Sequence, residues 1–172
     1  MWRSRSVSTL ALLALLVALL SLVLPAAPAS AAGDDYKWRT DTTNANDDYG
    51  FTRRQCVSFV GWRLHQHSHT INNGTQHWGS AYHWDEAAKA LNKRITTTPK
   101  VGAIAQWNAS ESSKYYASNG GVGTIKAGSQ GHVAWVNKVY SDGSVQIEQY
   151  NMSGNRAYST MHVKAPRYIY VF

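Results

Sequence analysis

From Val101 onward the chain is built from short segments rich in β-forming residues and separated by turn formers. They are VGAIAQW (101–107), HVAWVNKVY (132–140), SVQIEQY (144–150), AYSTMHV (157–163) and RYIYVF (167–172). Each has the length and composition of a strand, and several partly alternate between apolar and polar residues. SDG at 141–143 predicts a tight hairpin turn that makes the second and third segments antiparallel neighbours. Two helical patterns precede these strands. Val57, Val60 and Leu64, with Cys56, Phe59 and Arg63 one step away, follow the i, i+3/i+4 spacing of an amphipathic helix, weakened by Gly61. HQHSHTINNGT then breaks to loop. SAYHWDEAAKALN (80–92) predicts a second helix, with Ser80 as cap and Trp84, Ala87, Ala88 and Leu91 on one face. Residues 108–130 form a long, polar, Gly-rich connection that carries Tyr115 and Tyr116. Helices first and a run of strands after them predict an α+β fold with a mostly antiparallel sheet of five to six strands.

The N-terminus follows a different logic. MWRSRS carries Arg3 and Arg5, Val7 to Leu24 is uncharged and apolar, and Ala29-Ser30-Ala31 supplies an A-x-A site. That order predicts a cleaved signal peptide over 1–32 and an exported chain, and Pro25 and Pro28 argue against an uncleaved membrane anchor. Residues 33–48 are polar, without sustained period, and are expected to form a leader or irregular loop ahead of one domain over 49–172. Two of the seventeen Lys and Arg residues lie in the signal segment, leaving fifteen against ten Asp and Glu, a formal charge of +5. Such a surface suits anionic polymers, but the charge is unclustered, which argues against a nucleic-acid binder. The single cysteine excludes an internal disulfide and a cysteine-only zinc site. Burial must therefore hold the fold, and six of the seven Trp and all ten Tyr lie beyond the signal to provide it.

That cysteine, Cys56, opens the first helical pattern directly after Arg53, Arg54 and Gln55. A helix N-terminus, nearby positive charge and a histidine are what activate a thiol, whereas a buried cysteine is otherwise only a small hydrophobe. Seven histidines compete for the partner role. His65, His67 and His69 lack a third metal ligand at diagnostic spacing, and His77, His83 and His162 have no patterned neighbours. His132 opens an apolar strand directly after Gly131, where a side chain can face a cleft. Across the hairpin, the far end of IEQYN returns beside it, so Glu148, Gln149 and Asn151 are the candidates to orient the imidazole. Strand alternation puts Gln149 and Asn151 on one face and Glu148 and Tyr150 on the other, and leaves open which face meets His132. A cysteine on an early helix and a histidine on a later sheet is the chain order of papain-like hydrolases.

Together, RRQCVSFVGWRL, WGSAYHWDEAAKAL, TPKVGAIAQWN and GHVAWVNKVYSDGSVQIEQYN resemble, in order, the motifs of the CHAP domain family of papain-like cysteine amidohydrolases and peptidases. The resemblance covers roughly 49 to 153. It implies Cys56 as nucleophile, His132 as general base, and Glu148 with Asn151 as orienters, with Gln149 in reserve. Many relatives carry Glu-x-Asn here, and the Glu position is Gln149 in this chain. Gln55 is implied as an oxyanion-stabilising side chain beside the Cys56 N–H. The long loop 108–130 is expected to form one wall of the groove, with Trp107, Tyr115 and Tyr116 as substrate-binding residues. Relatives that bind calcium use alternate acidic residues before the cysteine. Here only Asp47 fits, followed by Tyr49, Phe51 and Arg53, so no metal and no cofactor is expected.

The function implied is a secreted, monomeric hydrolase that cuts an amide bond of bacterial peptidoglycan, as N-acetylmuramoyl-L-alanine amidase or as stem or cross-bridge endopeptidase. It is extracellular or wall-associated, attracted to anionic wall polymers, with no nucleic-acid partner and no stable membrane insertion. One alternative is an inactive wall-binding module, against which the retained Cys56, His132 and EQYN stand. The other is a papain-like protease acting on proteins, which shared architecture does not distinguish.

Overall fold

The structure is a computed structural model and describes residues 33–172; the segment read as a signal peptide lies outside the described residues. Helix α1 spans Cys56–Gln66, α2 Asn73–Gln76, and a 3₁₀ turn at Ala81–His83 leads into α3, Trp84–Ala90. Eight strands follow: β1 Arg94–Thr96, β2 Ile104–Trp107, β3 Ser112–Tyr116, β4 Val122–Lys126, β5 His132–Val139, β6 Val145–Tyr150, β7 Tyr158–Lys164 and β8 Arg167–Tyr170. They form one sheet in the order β1-β8-β2-β5-β6-β7-β3-β4, in which every neighbouring pair is antiparallel. The α+β class and the antiparallel sheet are as expected from the sequence. The strand count is not: there are eight among the described residues, because β1 is too short to show a period and the polar connection 108–130 itself forms the β3–β4 hairpin. No helix among the described residues is long and apolar enough to cross a membrane.

α1 forms on its apolar stripe. Phe59, Val60 and Leu64 are fully buried and pack with Val133, Trp135, Tyr150, Ile104 and Ile169 on one face of the sheet. Gly61, unfavourable in a helix interior, is required by close approach: a Cβ there would lie 3.3 Å from the Phe51 ring. α3 buries Trp84, Ala87 and Ala88 in the same cluster. Ser80 does not cap the second helix as expected; its hydroxyl donates to Gln130 Oε1 at 2.8 Å instead. The opposite sheet face carries Ala103, Ala105, Trp107, Ala134, Val136, Ile147 and Val163. The sheet curls so that Tyr115 and Ile125 of the β3–β4 hairpin pack against that second cluster.

The domain starts earlier than the boundary at residue 49 expected from polarity. Tyr36 is fully buried and Trp38 nearly so, and both belong to the α1-side core. Asp34 accepts a hydrogen bond from Tyr150 Oη, and Asp35 takes a two-pronged contact from Arg63 at 2.9 and 3.1 Å. Apolar periodicity is blind to such a segment, because two aromatics and two carboxylates anchor it while its backbone stays irregular.

Candidate active site

Cys56 is the first residue of α1, with Gln55 as an extended N-cap residue that makes no side-chain cap bond. The first N–H groups of a helix have no intrahelical partner, so they are free to act on the sulfur and on anything bound beside it. The Cys56 sulfur sits against the backbone N–H groups of Val57 and Val133 and its own. Val133 directly follows His132, so the sulfur and the imidazole come from adjoining points of α1 and β5. Burial pushes the Cys56 thiol up, and the three N–H groups only partly offset it. The arginines expected to supply positive charge do not reach the sulfur. Arg53 pairs with Asp41 at 2.6 Å, while Arg54 donates to the carbonyls of Asp41 at 3.1 Å and Arg156 at 2.6 Å.

His132 begins β5, is 3 % exposed, and is set by the glycine before it. Gly131 has φ +71°, and a Cβ there would come within 2.6 Å of the Trp107 carbonyl and 2.7 Å of the Tyr82 nitrogen, so only glycine passes between them. Trp107 backs the imidazole at 6.0 Å between ring centroids and donates its indole N–H to Ser113 Oγ at 2.8 Å. Burial lowers the His132 pKa to about 4, with the Gln149 side chain acting in the opposite direction.

Register decides the face that alternation left open. β5 and β6 pair Trp135 with Glu148 and Val136 with Ile147, which places Gln149 on the His132 side of the sheet and Glu148 on the other. Gln149 Nε2 donates to Ser159 Oγ at 2.9 Å and contacts Met161 Sδ at 3.0 Å, so Oε1 is the end turned elsewhere. The contact with the imidazole does not close to a full hydrogen bond. His132 Nε2 and Gln149 Oε1 both remain buried without a partner, and the Gln149 side chain acts to raise the imidazole pKa.

Glu148 and Asn151, expected as orienters, are engaged elsewhere. The Glu148 carboxylate accepts from Arg63 Nη2 at 2.5 Å and Asn137 Nδ2 at 3.1 Å, on the α1 side of the sheet. Asn151, at φ +63°, donates through Nδ2 to Gln55 Oε1 at 2.6 Å and accepts from the Arg156 N–H at 2.7 Å. Its effect on Gln55 is direct: with Oε1 taken, Nε2 is the end left to donate. Gln55 and Cys56 line an open cleft of about 510 Å³ together with Phe51, Thr52, Ser80 and Gln130.

Tyr115 and Tyr116 do not line this cleft. They lie on β3, with β6 and β7 between it and β5, beside Tyr140 and His162. The far end of the 108–130 segment does contribute, through Gln130. Ser80 was legible in the sequence only as a helix cap and Gln130 lies in no pattern; the Ser80–Gln130 side-chain bond and the bond from the Tyr82 N–H to the Gln130 carbonyl bring them together. Asp47 is buried and spent internally, accepting from the N–H groups of Tyr49 at 2.9 Å and Phe51 at 2.8 Å and from the Ser58 hydroxyl.

Fold and site define an α+β domain of papain-like layout, with a cysteine at the start of α1 and a histidine at the start of β5. The CHAP domain family profile matches residues 44–151, and the chain belongs to that family. Among curated relatives, an N-acetylmuramoyl-L-alanine amidase of Staphylococcus epidermidis is 33% identical over 115 residues, which is 64% of this chain and 29% of that protein. The corresponding amidase of Staphylococcus haemolyticus is 29% identical over 129 residues, 73% of this chain and 34% of that protein. The chain thus spans about a third of the length of these relatives. A crystal structure of an N-acetylmuramoyl-L-alanine amidase from Staphylococcus aureus superposes with a TM-score of 0.57 and 27% identity, over 79% of this chain and 37% of that one.

Proposed function

We propose that the chain is an exported peptidoglycan hydrolase that cleaves an amide bond with Cys56 as nucleophile. The observation that carries this reading is the placement of Cys56 at the start of α1 in an open cleft, its sulfur against the N–H of Val133, the residue that follows the buried His132. The amidase names of the relatives support the substrate class, and the CHAP family supports the chemistry.

Burial opposes charge on both partners before substrate arrives, raising the thiol and lowering the imidazole. The resting pair is therefore thiol and neutral imidazole, and proton transfer accompanies attack. His132 Nδ1 takes the thiol proton as sulfur bonds to the amide carbonyl carbon. The carbonyl π electrons move to oxygen, and the oxyanion is held by the Cys56 N–H and Gln55 Nε2. Collapse breaks the C–N bond, and His132 returns its proton to the leaving amine. Water, deprotonated by His132, then attacks the thioester and the thiol is restored. Gln149 Oε1 keeps Nε2 protonated throughout, so that Nδ1 stays the base.

The test is digestion of purified peptidoglycan by wild type and by Cys56→Ala, with muropeptides read by mass spectrometry. Release by wild type and none by the variant is the expected result. Stem peptides freed from glycan would mark an amidase, and trimmed or uncross-linked peptides an endopeptidase. No release by wild type across several wall chemotypes would overturn the proposal.

A further inference from the structure

Positive charge that is scattered along the sequence is gathered by the sheet. Register places Lys114 of β3 directly opposite Lys164 of β7, and Lys126 of β4 opposite Ser112, diagonal to Lys114. Tyr116 stands opposite His162, His162 opposite Gln146, and Gln146 opposite Lys138 of β5. Opposed residues share a face, so these side chains lie on one side of the sheet. It is the side that α1 covers over β5 and β6, continued beyond the helix to where Lys114, Lys126, Thr160 and Lys164 are exposed. Like charges directly opposite each other destabilise a strand pair. None of the ion pairs among the described residues involves Lys114, Lys126, Lys138 or Lys164, so the cost of opposing Lys114 and Lys164 is not relieved within the domain.

On this face lies an open hollow of about 430 Å³, walled by Tyr116, Tyr140, Gln146, Thr160 and His162, which shares no lining residue with the cysteine's cleft. The His162 ring contacts Tyr116 at 4.5 Å and Tyr140 at 4.1 Å, and its Nε2 is 2.6 Å from Ser144 Oγ. Ser144 also donates to Asp142, a carboxylate at the adjoining turn that the four lysines outnumber. Among the described residues, the polar ends of Gln146, Thr160, Tyr116 and Tyr140 are neither sealed from solvent nor hydrogen-bonded, so they are open to a ligand's hydroxyls. Lys138 and Lys164 stand two strands and two residues apart, about 12 Å, with Gln146 and His162 between them. The face thus alternates cations with neutral hydrogen-bonding groups. A polyuronate puts charge and hydroxyls on one ring, whereas a polyol phosphate alternates them as this face does. We propose that the face docks a polyol-phosphate polymer, with phosphates on the lysines and a polyol unit in the hollow, and so holds the domain on an anionic matrix while the Cys56 cleft stays free. That this matrix is a cell wall rests on the hydrolase reading above; the binding itself does not.

The test is NMR titration of the protein with a synthetic glycerol phosphate hexamer at low salt, beside a galacturonate hexamer and a thymidylate hexamer. Saturable shifts at the Gln146 side-chain amide and the Tyr116 N–H are expected with the glycerol phosphate, and weaker binding of the other two. Lys114→Gln combined with Lys164→Gln should weaken binding at least fivefold. It should also flatten the slope of log affinity against log salt by about 1.4, at about 0.7 per charge lost. Both positions are exposed and the change removes opposed like charges, so the variant should fold at least as stably as wild type. Lys89→Gln combined with Lys100→Gln removes the same charge elsewhere and should leave affinity within twofold. Equal weakening by that control would make binding a matter of net charge and overturn the site. Equal or tighter binding of either other hexamer would overturn the polyol-phosphate assignment. No saturable binding, or shifts confined to Gln55 and Ser80, would overturn the proposal outright. Binding is read here without turnover, so the outcome is independent of muropeptide release and the two proposals fail separately.

Discussion

Gln149→Glu places a carboxylate where many relatives have one and asks what the amide in this chain does. In the wild type, burial lowers His132 from 6.5 to about 4. At about 1.4 kcal/mol per tenfold, this favours the neutral ring by about 3 kcal/mol. A carboxylate about 4 Å from the ring, at an effective dielectric of about 20, attracts an imidazolium by about 4 kcal/mol. Position 149 is fully buried, so part of that attraction is lost to desolvating the new charge. A net gain of about 1.5 to 3 kcal/mol moves the titration to about pH 5 to 6. The assay is the His132 Cε1–H resonance followed from pH 3.5 to 8, with the acidic limb of kcat/KM on peptidoglycan as the functional readout. Wild type should keep activity at pH 5, and the variant should lose part of it as the base becomes protonated. Glu148→Gln, on the opposite face, should leave the limb in place. If His132 in a folded Gln149→Glu protein still titrates near 4, the side chain at 149 does not contact the imidazole.

The same burial predicts a pH-dependent stability. Between about pH 6.5 and 4 the unfolded chain binds a proton on His132 that the folded chain refuses, so stability falls as pH drops through that window, by about 3 kcal/mol in all; His132→Gln should flatten denaturation midpoints measured across it. Asn151→Ala releases Gln55 and should lower kcat about 10- to 100-fold with KM nearly unchanged, whereas Gln55→Ala should cost about 10²- to 10³-fold; equal KM effects would point to substrate binding instead. Glu148→Gln should destabilise by about 3 to 5 kcal/mol in urea titrations, because Arg63 is left as a buried charge with only the exposed Asp35. Trp38→Ala should cost about 3 to 5 kcal/mol, and unfolding that is insensitive to it would restore the boundary near residue 49.

Much of the layout was legible because its signals are local. Apolar spacing located α1 and α3, β-rich segments located five of the strands, and SDG marked the β5–β6 turn. Cys56 and His132 stood out as a lone thiol at a helix start and a histidine after a glycine. What was hidden depends on register and partnership. Glu148 and Gln149 are adjacent in sequence, and only the pairing of Trp135 with Glu148 assigns them to opposite faces. Asn151 looks like a triad member until its hydrogen bond to Gln55 is seen. Arg53 and Arg54 look like thiolate partners because sequence proximity does not reveal their commitments to Asp41 and Arg156. Tyr115 and Tyr116 were misplaced for the converse reason: a polar, Gly-rich stretch concealed a hairpin that pairs with β7 and carries them three strands from β5.

The place of β8 in the sheet sets the order in which the chain can fold. The last strand, Arg167–Tyr170, lies between β1 and β2, which come first among the strands in chain order and do not pair with each other. Until the C-terminus arrives, the sheet has a gap where Ile169 belongs, and β1 has no neighbour at all. The contacts that complete the sheet therefore tie residues 94–107, in the middle of the sequence, to its last strand, and folding is governed by slow, non-local closure. A chain growing from its N-terminus cannot become native part-way. A chain shortened by its last six residues should behave as an unfolded protein with all of its site residues present.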